Sequence, residues 1–205
     1  MKKIVALLLA FVCVFGFAAC KDKGKTVAMG KVSGNKYESE FIGIGFNLPS
    51  GWTFYSEEQI RELNNVTADM MDDKYTEQIK KADIIYDMMA VNSKTGYNVG
   101  INLEKASALG AAVTSEESYV KKGMTNVKDA LESAGASNVT TKQTKVTIAG
   151  ESLHAIEVTC KMQGVAIYEV VACKKVGKYY ASIAITTTGS NQTDSILSQF
   201  YALGK

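Results

Sequence analysis

The sequence predicts a single α+β domain in which helices pack on the faces of a twisted antiparallel sheet of about six to seven strands. Apolar residues recur at every second position over several short runs, as they do in strands with one buried face. Tight turns join consecutive runs, which favours antiparallel pairing, and helical stretches separate the groups of strands. A cone-shaped fold of the cystatin or NTF2-like kind has a similar element order and is the alternative.

The first half of the chain is expected to begin with strands and to continue with helices. Ser56 has the side chain of a helix cap, and Glu57 and Glu58 follow it, where acidic residues favour the positive end of a helix. A second helix is expected over residues 67–81, in which apolar side chains recur every four residues. The strands expected in this half cover residues 37–41, 44–48, 52–55, 84–91 and 97–103.

The second half of the chain begins with the clearest helix of the sequence. This helix is expected to start at Ser115 and to end at Gly135, because an apolar stripe runs along one side of the segment between them. A final helix is expected over residues 193–203. Between these two helices, turns separate four expected strands at 139–148, 153–162, 165–173 and 179–187.

The N-terminus has the pattern of a bacterial export signal. Lys2 and Lys3 supply a positive charge, and residues 4–19 contain no charged side chain. This uncharged segment has 16 residues. It is therefore slightly shorter than the roughly 20 residues that span a bilayer.

The end of the uncharged segment, Phe17-Ala18-Ala19-Cys20, resembles the lipobox of bacterial lipoproteins. Phe17 stands where that family usually has an aliphatic residue. The resemblance implies that residues 1–19 are removed and that Cys20 carries the lipid, palmitate included. That lipid would anchor the protein at the outer face of the cytoplasmic membrane or in the cell envelope. An uncleaved anchor helix and simple secretion are the alternatives, and all three place the domain outside the cytoplasm.

The region after Cys20 is expected to be a flexible tether. Residues 21–36 are rich in Lys, Gly and Ser and have no apolar period. A single folded domain is expected over residues 37–205.

Two cysteines lie within the expected domain. Cys160 and Cys173 are on the two strands that meet at the expected turn Gln163-Gly164, which places Cys173 opposite His154. The two cysteines then share a face but lie about 20 Å apart along the strands, at roughly 3.3 Å per residue. A disulfide needs Cα atoms within about 7 Å, so both are expected to be small buried residues with free thiols.

Residues 37–52 resemble the opening of PsbP-like domains, which share their fold with Ran-binding nuclear-import proteins. Such openings contain an aromatic residue, a spacer, a glycine, alternating apolar residues and a Leu-Pro-x-Gly-Trp segment. The resemblance implies a twisted antiparallel sheet with helices on both faces. It also implies a role in binding or in supporting assembly, without general catalytic residues. The matching residues are Tyr37, Gly43, Ile44, Phe46 and the segment Leu48-Pro49-Ser50-Gly51-Trp52.

The sequence contains few groups for catalysis, metals or cofactors. His154 is the single histidine, and no serine stands in a Gly-x-Ser-x-Gly motif. One histidine without paired cysteines excludes the usual zinc sites. Gly43 and Gly45 lack the third glycine and the following helix of a nucleotide-binding loop. We therefore expect no catalytic residue, no metal and no cofactor.

The charge of the chain argues against nucleic acid as a partner. Residues 1–19 contain two lysines and no acid, so the rest of the chain has 21 basic and 21 acidic residues. A neutral chain without a basic field is not expected to bind nucleic acid.

One possible ligand or partner surface lies near the start of the last expected strand. Alternation there turns Tyr179 inward and Tyr180 outward, and Lys175 and Lys178 are close in sequence to Tyr180. These three side chains would form a rim for an anion or an anionic headgroup. We expect a membrane-anchored, non-catalytic binding or accessory domain whose partner is a protein or a small molecule. A hydrolase with an unrecognised site and a structural envelope protein are the alternatives.

Overall fold

The structure, a computed structural model, describes residues 27–64, 84–109 and 113–204. The α-helices in these ranges are α1 (Glu57–Leu63), α2 (Glu116–Ser133) and α3 (Thr193–Leu197), and Ala106–Leu109 form a 3-10 turn. The strands in these ranges are β1 (Lys31–Ser33), β2 (Lys36–Ser39), β3 (Ile44–Asn47), β4 (Thr53–Phe54), β5 (Ile84–Asn92), β6 (Tyr97–Lys105), β7 (Ser137–Ile148), β8 (Glu151–Met162), β9 (Val165–Val176), β10 (Tyr179–Thr188) and β11 (Phe200–Ala202).

The strands form two antiparallel sheets, and this arrangement confirms the predicted α+β class. The larger sheet has seven strands in the order β4-β5-β6-β10-β9-β8-β7, and the smaller has four in the order β1-β2-β3-β11. The smaller sheet and α3 share a core with one face of the larger sheet. Helix α2 packs against the other face. Thus α2 lies on a face as expected, while the second sheet was not predicted.

The predicted helix starts are confirmed. The Ser56 side chain accepts a hydrogen bond from the Gln59 amide, and the Gln59 side chain accepts one from the Ser56 amide. Ser115 caps α2 in the same reciprocal way with Ser118. Such reciprocal bonds satisfy amide groups that have no partner within the helix.

The predicted register of the cysteine-bearing strands is confirmed. Met162 lies opposite Val165, and Cys173 lies opposite His154. Cys160 and Cys173 are both free and buried. The turn at Gln163 and Gly164 therefore sets the separation of the two thiols, as the sequence indicated.

Two predicted boundaries at the ends of the domain are wrong. Residues 31–33 form β1 and Val27 is buried, so the folded domain begins before Tyr37. Helix α3 stops at Leu197, and the residues expected to continue it form β11 instead. The reason lies in distant contacts, because β11 pairs with β3 and brings the Phe200 ring within 4.7 Å of the Phe46 ring. The predicted helix over 67–81, the signal and Cys20 lie outside the described residues.

A buried carboxyl joins the N-terminal segment to the larger sheet. Asp87 lies at a β-bulge in β5, where the pairing with β6 shifts between Tyr86 and Met88. Its Oδ2 accepts a hydrogen bond of 2.6 Å from the Tyr37 hydroxyl, and its Oδ1 accepts one of 2.7 Å from the Gly30 amide. A Cβ atom at Gly30 would collide with the Tyr37 ring. Only glycine therefore brings its amide this close to Asp87.

The buried position of Asp87 predicts a pH-dependent contribution to stability. Burial raises the pKa of Asp87 to about 6, although the hydrogen bonds from Tyr37 and Gly30 lower it. The pKa of an aspartate in the unfolded chain is about 3.9, so between pH 4 and pH 6 the folded protein binds a proton more tightly than the unfolded chain does. The stability that this proton contributes is fully present at low pH and is lost as the pH rises through 6. We expect the free energy of unfolding to fall by about 2–3 kcal/mol between pH 4 and pH 7 because of this group.

Urea unfolding of the wild type and of Asp87→Asn over this pH range measures that contribution. The Asn amide preserves both contacts, since its oxygen accepts from Gly30 and its nitrogen donates to the Tyr37 oxygen. The difference in stability between the two proteins should change with pH. An unchanged difference from pH 4 to pH 7 would show that Asp87 does not titrate there.

Candidate binding site

The two central strands of the larger sheet, β6 and β10, are covered on both faces. The face toward the smaller sheet is apolar, and its side chains are at most 1% exposed. The face on the α2 side is also buried but largely polar. The residues of the apolar face are Val99, Ile101, Leu103, Ala181, Ile183 and Ile185.

The polar side chains of the second face are here named the polar stripe. They are paired across β6 and β10, with Asn98 opposite Thr186 and Asn102 opposite Ser182. On the neighbouring strand β9, Glu169 lies opposite Thr186. The side chains on β6 and β10 are between 2% and 5% exposed, and Glu169 is half-buried. The members of the polar stripe are Asn98, Asn102, Glu104, Glu169, Ser182 and Thr186.

Small residues interrupt the polar stripe at its middle. Gly100 lies opposite Ala184 in the β6–β10 ladder, between the pair Asn98–Thr186 and the pair Asn102–Ser182. Opposite residues in an antiparallel ladder have Cβ atoms about 4.5–5.5 Å apart. The polar groups therefore stand on either side of a sheet surface that carries almost no side-chain bulk.

Helix α2 covers the strands beside the polar stripe. It packs against β7, β8 and β9, and its residues Tyr119 and Val120 share a core with Ile156, Val171 and Cys173. A Cβ atom at helix position 123 would lie 3.0 Å from the Ile156 side chain, so the glycine there permits a close approach of helix to sheet. The core under α2 also reaches Tyr180 and Ala184, which lie on the same face of β10 as the polar stripe.

Several groups of the polar stripe have no hydrogen-bonding partner. Within the described part of the chain, no side-chain hydrogen bond is formed by Asn98, Ser182, Thr186 or Glu169. Burial raises the pKa of Glu169 to about 7. Polar side chains that line an interior face are groups with which a ligand could exchange hydrogen bonds.

Tyr180, Lys175 and Lys178, which were predicted to form a partner surface, do not form an exposed rim in the structure. Tyr180 is fully buried, so the prediction that it points outward is wrong. Its ring stacks on Tyr119 at 5.1 Å, and Lys175 Nζ lies 5.4 Å from the centre of the ring. Lys175 Nζ also donates to the Thr114 carbonyl, and Lys178 is half-buried. Tyr180 and Lys175 therefore meet in the packing of α2 on the sheet.

Alternation correctly placed Tyr179 and Tyr180 on opposite faces of the sheet, but the face that carries Tyr180 is buried as well. A side chain on that face of a central strand enters the core between α2 and the larger sheet, which contains Tyr180, Cys173 and Ala184. Among the described residues, the buried Tyr180 hydroxyl has no hydrogen-bonding partner.

The groups near the stripe that resemble catalytic ones are not activated. His154 lies opposite Cys173 across β8 and β9, which is the one approach of an imidazole to a thiol that these strands create. Burial, followed by the charges of Glu116 and Glu104, raises the pKa of the Cys173 thiol far above its usual range. A thiol held protonated and fully buried is a poor nucleophile.

Comparisons with known proteins place the chain in no family. No family model matches the sequence, and no curated protein matches it. Among solved structures, a crystal structure from Bacteroides thetaiotaomicron VPI-5482 aligns with a TM-score of 0.40 and 13% identity. The alignment covers 85% of this chain and 50% of that one, so the chain spans about half the length of the matched structure.

Two further observations concern the described residues only. Their helices include none that is long and apolar enough to cross a membrane. Their His, Cys, Asp and Glu side chains do not gather in threes as a metal site requires.

The unpaired hydroxyl of Thr186 predicts an unusual effect of substitution. Thr186→Val keeps the shape of a side chain that is 5% exposed and removes a hydroxyl that forms no side-chain hydrogen bond within the described residues. We expect the free energy of unfolding of the ligand-free protein to rise by about 0.5–1.5 kcal/mol. Chemical denaturation measures this change.

Thr187→Val is a matched control on the opposite face of the same strand. Thr187 is fully buried, and its hydroxyl accepts a hydrogen bond of 3.4 Å from the Gln192 amide. Its removal should lower the free energy of unfolding by about 1 kcal/mol. If Thr186→Val destabilises the protein as much as Thr187→Val does, the Thr186 hydroxyl has a structural partner.

Proposed function

We propose that this protein is a bacterial lipoprotein of the cell envelope, anchored through Cys20, whose folded domain binds a small polar ligand without catalysing a reaction. One observation carries the binding role. In the polar stripe, the side chains of Asn98, Ser182 and Thr186 are at most 5% exposed, and none of them forms a side-chain hydrogen bond within the described residues. A ligand with matching polar groups would supply those partners and offset the cost of burying them.

The anchoring role is supported by the sequence before the domain. The lipobox-like segment ends at Cys20, and the first described residue, Val27, is already buried in the core. Seven residues at about 3.5 Å each span at most about 25 Å. A lipid on Cys20 would therefore hold the domain close to the membrane surface.

We propose a PsbP-like fold as the finer description of the domain. Gly43 has a φ of +76°, as a tight connection between two strands requires, and it links β2 to β3. Ile44 and Phe46 are buried, and Trp52 packs against the same core after the Pro49 turn. These positions support the resemblance that the opening sequence shows. PsbP-like domains mostly bind or support assembly, which agrees with a binding role.

The chemistry of the polar stripe favours binding over catalysis. Its amide and hydroxyl groups form hydrogen bonds but do not exchange protons near neutral pH. General acid–base catalysis needs two titratable groups that converge on one substrate. The two carboxyl groups of the stripe, Glu104 and Glu169, belong to residues opposite Tyr180 and Thr186, which are six residues or about 20 Å apart along β10, so they do not converge on one substrate.

Labelling with palmitate in a bacterial host tests the anchor. The full-length chain should incorporate the label, and Cys20→Ser should lose it, because the thiol of Cys20 is the proposed acceptor. Cys160→Ser is the matched control and should remain labelled, since Cys160 is buried in the folded domain. Labelling that persists in Cys20→Ser would contradict the proposed anchor.

Native mass spectrometry of residues 21–205, purified gently from a host extract, tests the binding role. We expect an additional small mass that denaturation removes. A Ser182→Ala, Thr186→Val double variant should lose this mass, because it lacks two hydroxyls of the polar stripe. Thr140→Val is the control, since Thr140 lies on the edge strand β7 and its hydroxyl contacts Thr159. A bare mass for the wild type would contradict the proposal.

A further inference from the structure

The smaller sheet has an exposed outer face with two lysines on it. Tyr37 and Ser39 of β2 are buried, so Lys36 and Glu38, which alternate with them, lie on the side away from the core. Lys31 of β1 is opposite Glu38 and shares that side. Both lysines are exposed, and neither forms an ion pair with a carboxylate within the described residues.

An aromatic ring and an apolar side chain lie beside these lysines. The Tyr201 ring covers Gly45, where a Cβ atom would collide with it, and its hydroxyl donates to Glu38 at 2.8 Å. Lys36 Nζ lies 5.9 Å from the centre of this ring. Val32, on the edge strand β1, is 50% exposed and is the most exposed large apolar side chain of the described residues. The four side chains, here named the docking face, are Lys31, Val32, Lys36 and Tyr201.

Positive charge is concentrated at the N-terminal end of the chain that follows Cys20. Residues 21–36 contain five lysines and one acid, whereas residues 37–205 contain 16 basic and 20 acidic residues. The chain after Cys20 is neutral as a whole, but it is basic where it begins and acidic over the rest of its length. A negatively charged surface therefore attracts the first part and repels the second.

The proposed anchor keeps the docking face near a membrane. Val27 is buried in the core, and β1 begins four residues later at Lys31. Eleven residues at about 3.5 Å each separate Cys20 from Lys31, so the two are at most about 40 Å apart. The hairpin of β1 and β2 is thus the part of the folded domain that the lipidated end of the chain reaches first.

We propose that the docking face lies against the anionic phospholipid headgroups of the membrane that holds the lipid on Cys20. This inference rests on the proposed anchor and adds the orientation of the domain. Lysines are attracted to lipid phosphates, and their apolar stems, like the tyrosine ring, favour the boundary between water and lipid. The smaller sheet then faces the membrane, and the polar stripe, on the other side of the larger sheet, faces away from it.

Hydroxyl-radical oxidation of the lipidated protein in vesicles tests this orientation. The protein is purified with its lipid from a bacterial host and placed in vesicles of phosphatidylcholine alone or mixed equally with phosphatidylglycerol. Oxidation of Val32 and Tyr201, measured by mass spectrometry, should be reduced on the anionic vesicles and should recover in molar salt, which screens surface charge. Met124 on α2, across the larger sheet, is the internal reference and should be oxidised equally on both.

Two double variants with the same loss of charge separate the docking face from charge in general. Lys31→Gln, Lys36→Gln should make the docked orientation about 10- to 30-fold less favoured, so that Val32 and Tyr201 are oxidised equally on both kinds of vesicle. Lys145→Gln, Lys161→Gln is the matched control, because these exposed lysines lie on β7 and β8 of the larger sheet. This control should keep the protection of the wild type.

The outcome for the docking face and the outcome for the anchor are separable. Equal oxidation of Val32 and Tyr201 on neutral and anionic vesicles would overturn the docking face, as would equal loss of protection in the two double variants. Palmitate labelling that Cys20→Ser loses would still support the anchor in either case. Labelling that persists in Cys20→Ser would overturn both, since the docking face depends on a lipid at that position.

Discussion

The burial of β6 and β10 on both faces is the constraint on which the rest of the structure depends. The backbone hydrogen bonds of these two central strands are formed with neighbouring strands. Their side chains, however, do not contact solvent on either face, so each must be compatible with burial. Val99, Ile101 and Ile183 meet this condition on one face by packing against the smaller sheet. On the other face, Asn98 and Thr186 are polar and form no side-chain hydrogen bond within the described residues. The proposed ligand site follows from this asymmetry.

The two faces are joined to different parts of the chain. The apolar face is closed by the N-terminal strands and by β11, and the bonds from Tyr37 and Gly30 to Asp87 hold the N-terminal segment against β5. The polar face is flanked by α2, which begins at Ser115. The proposed anchor therefore continues into the side of the larger sheet that the smaller sheet covers, and the proposed ligand site lies on the opposite side.

Local sequence patterns predicted the C-terminal meander because its strands and turns are determined by residues close together in the chain. Alternating side chains and turns at Gly150 and Gly164 define β7, β8 and β9 without reference to distant residues. The same patterns missed β1 and β11, which are three residues long and exist through pairing with β2 and β3. A three-residue strand has too few positions to show a period. The stripe was missed because Asn98, Asn102 and Glu104 resemble the solvent face of a strand.

The sequence by itself determined the strand register around Gly164, the capped starts of α1 and α2, the distance between Cys160 and Cys173, and the expectation of an exported, lipidated chain. These properties depend on neighbours in the chain, and so the order of residues is sufficient to derive them. Tertiary structure alone decided that Tyr180 is buried, that Asp87 binds Tyr37, and that Glu169 lies beside Thr186. Each of these joins residues from separate strands, and the environment of a side chain is set by whatever covers its face of the sheet.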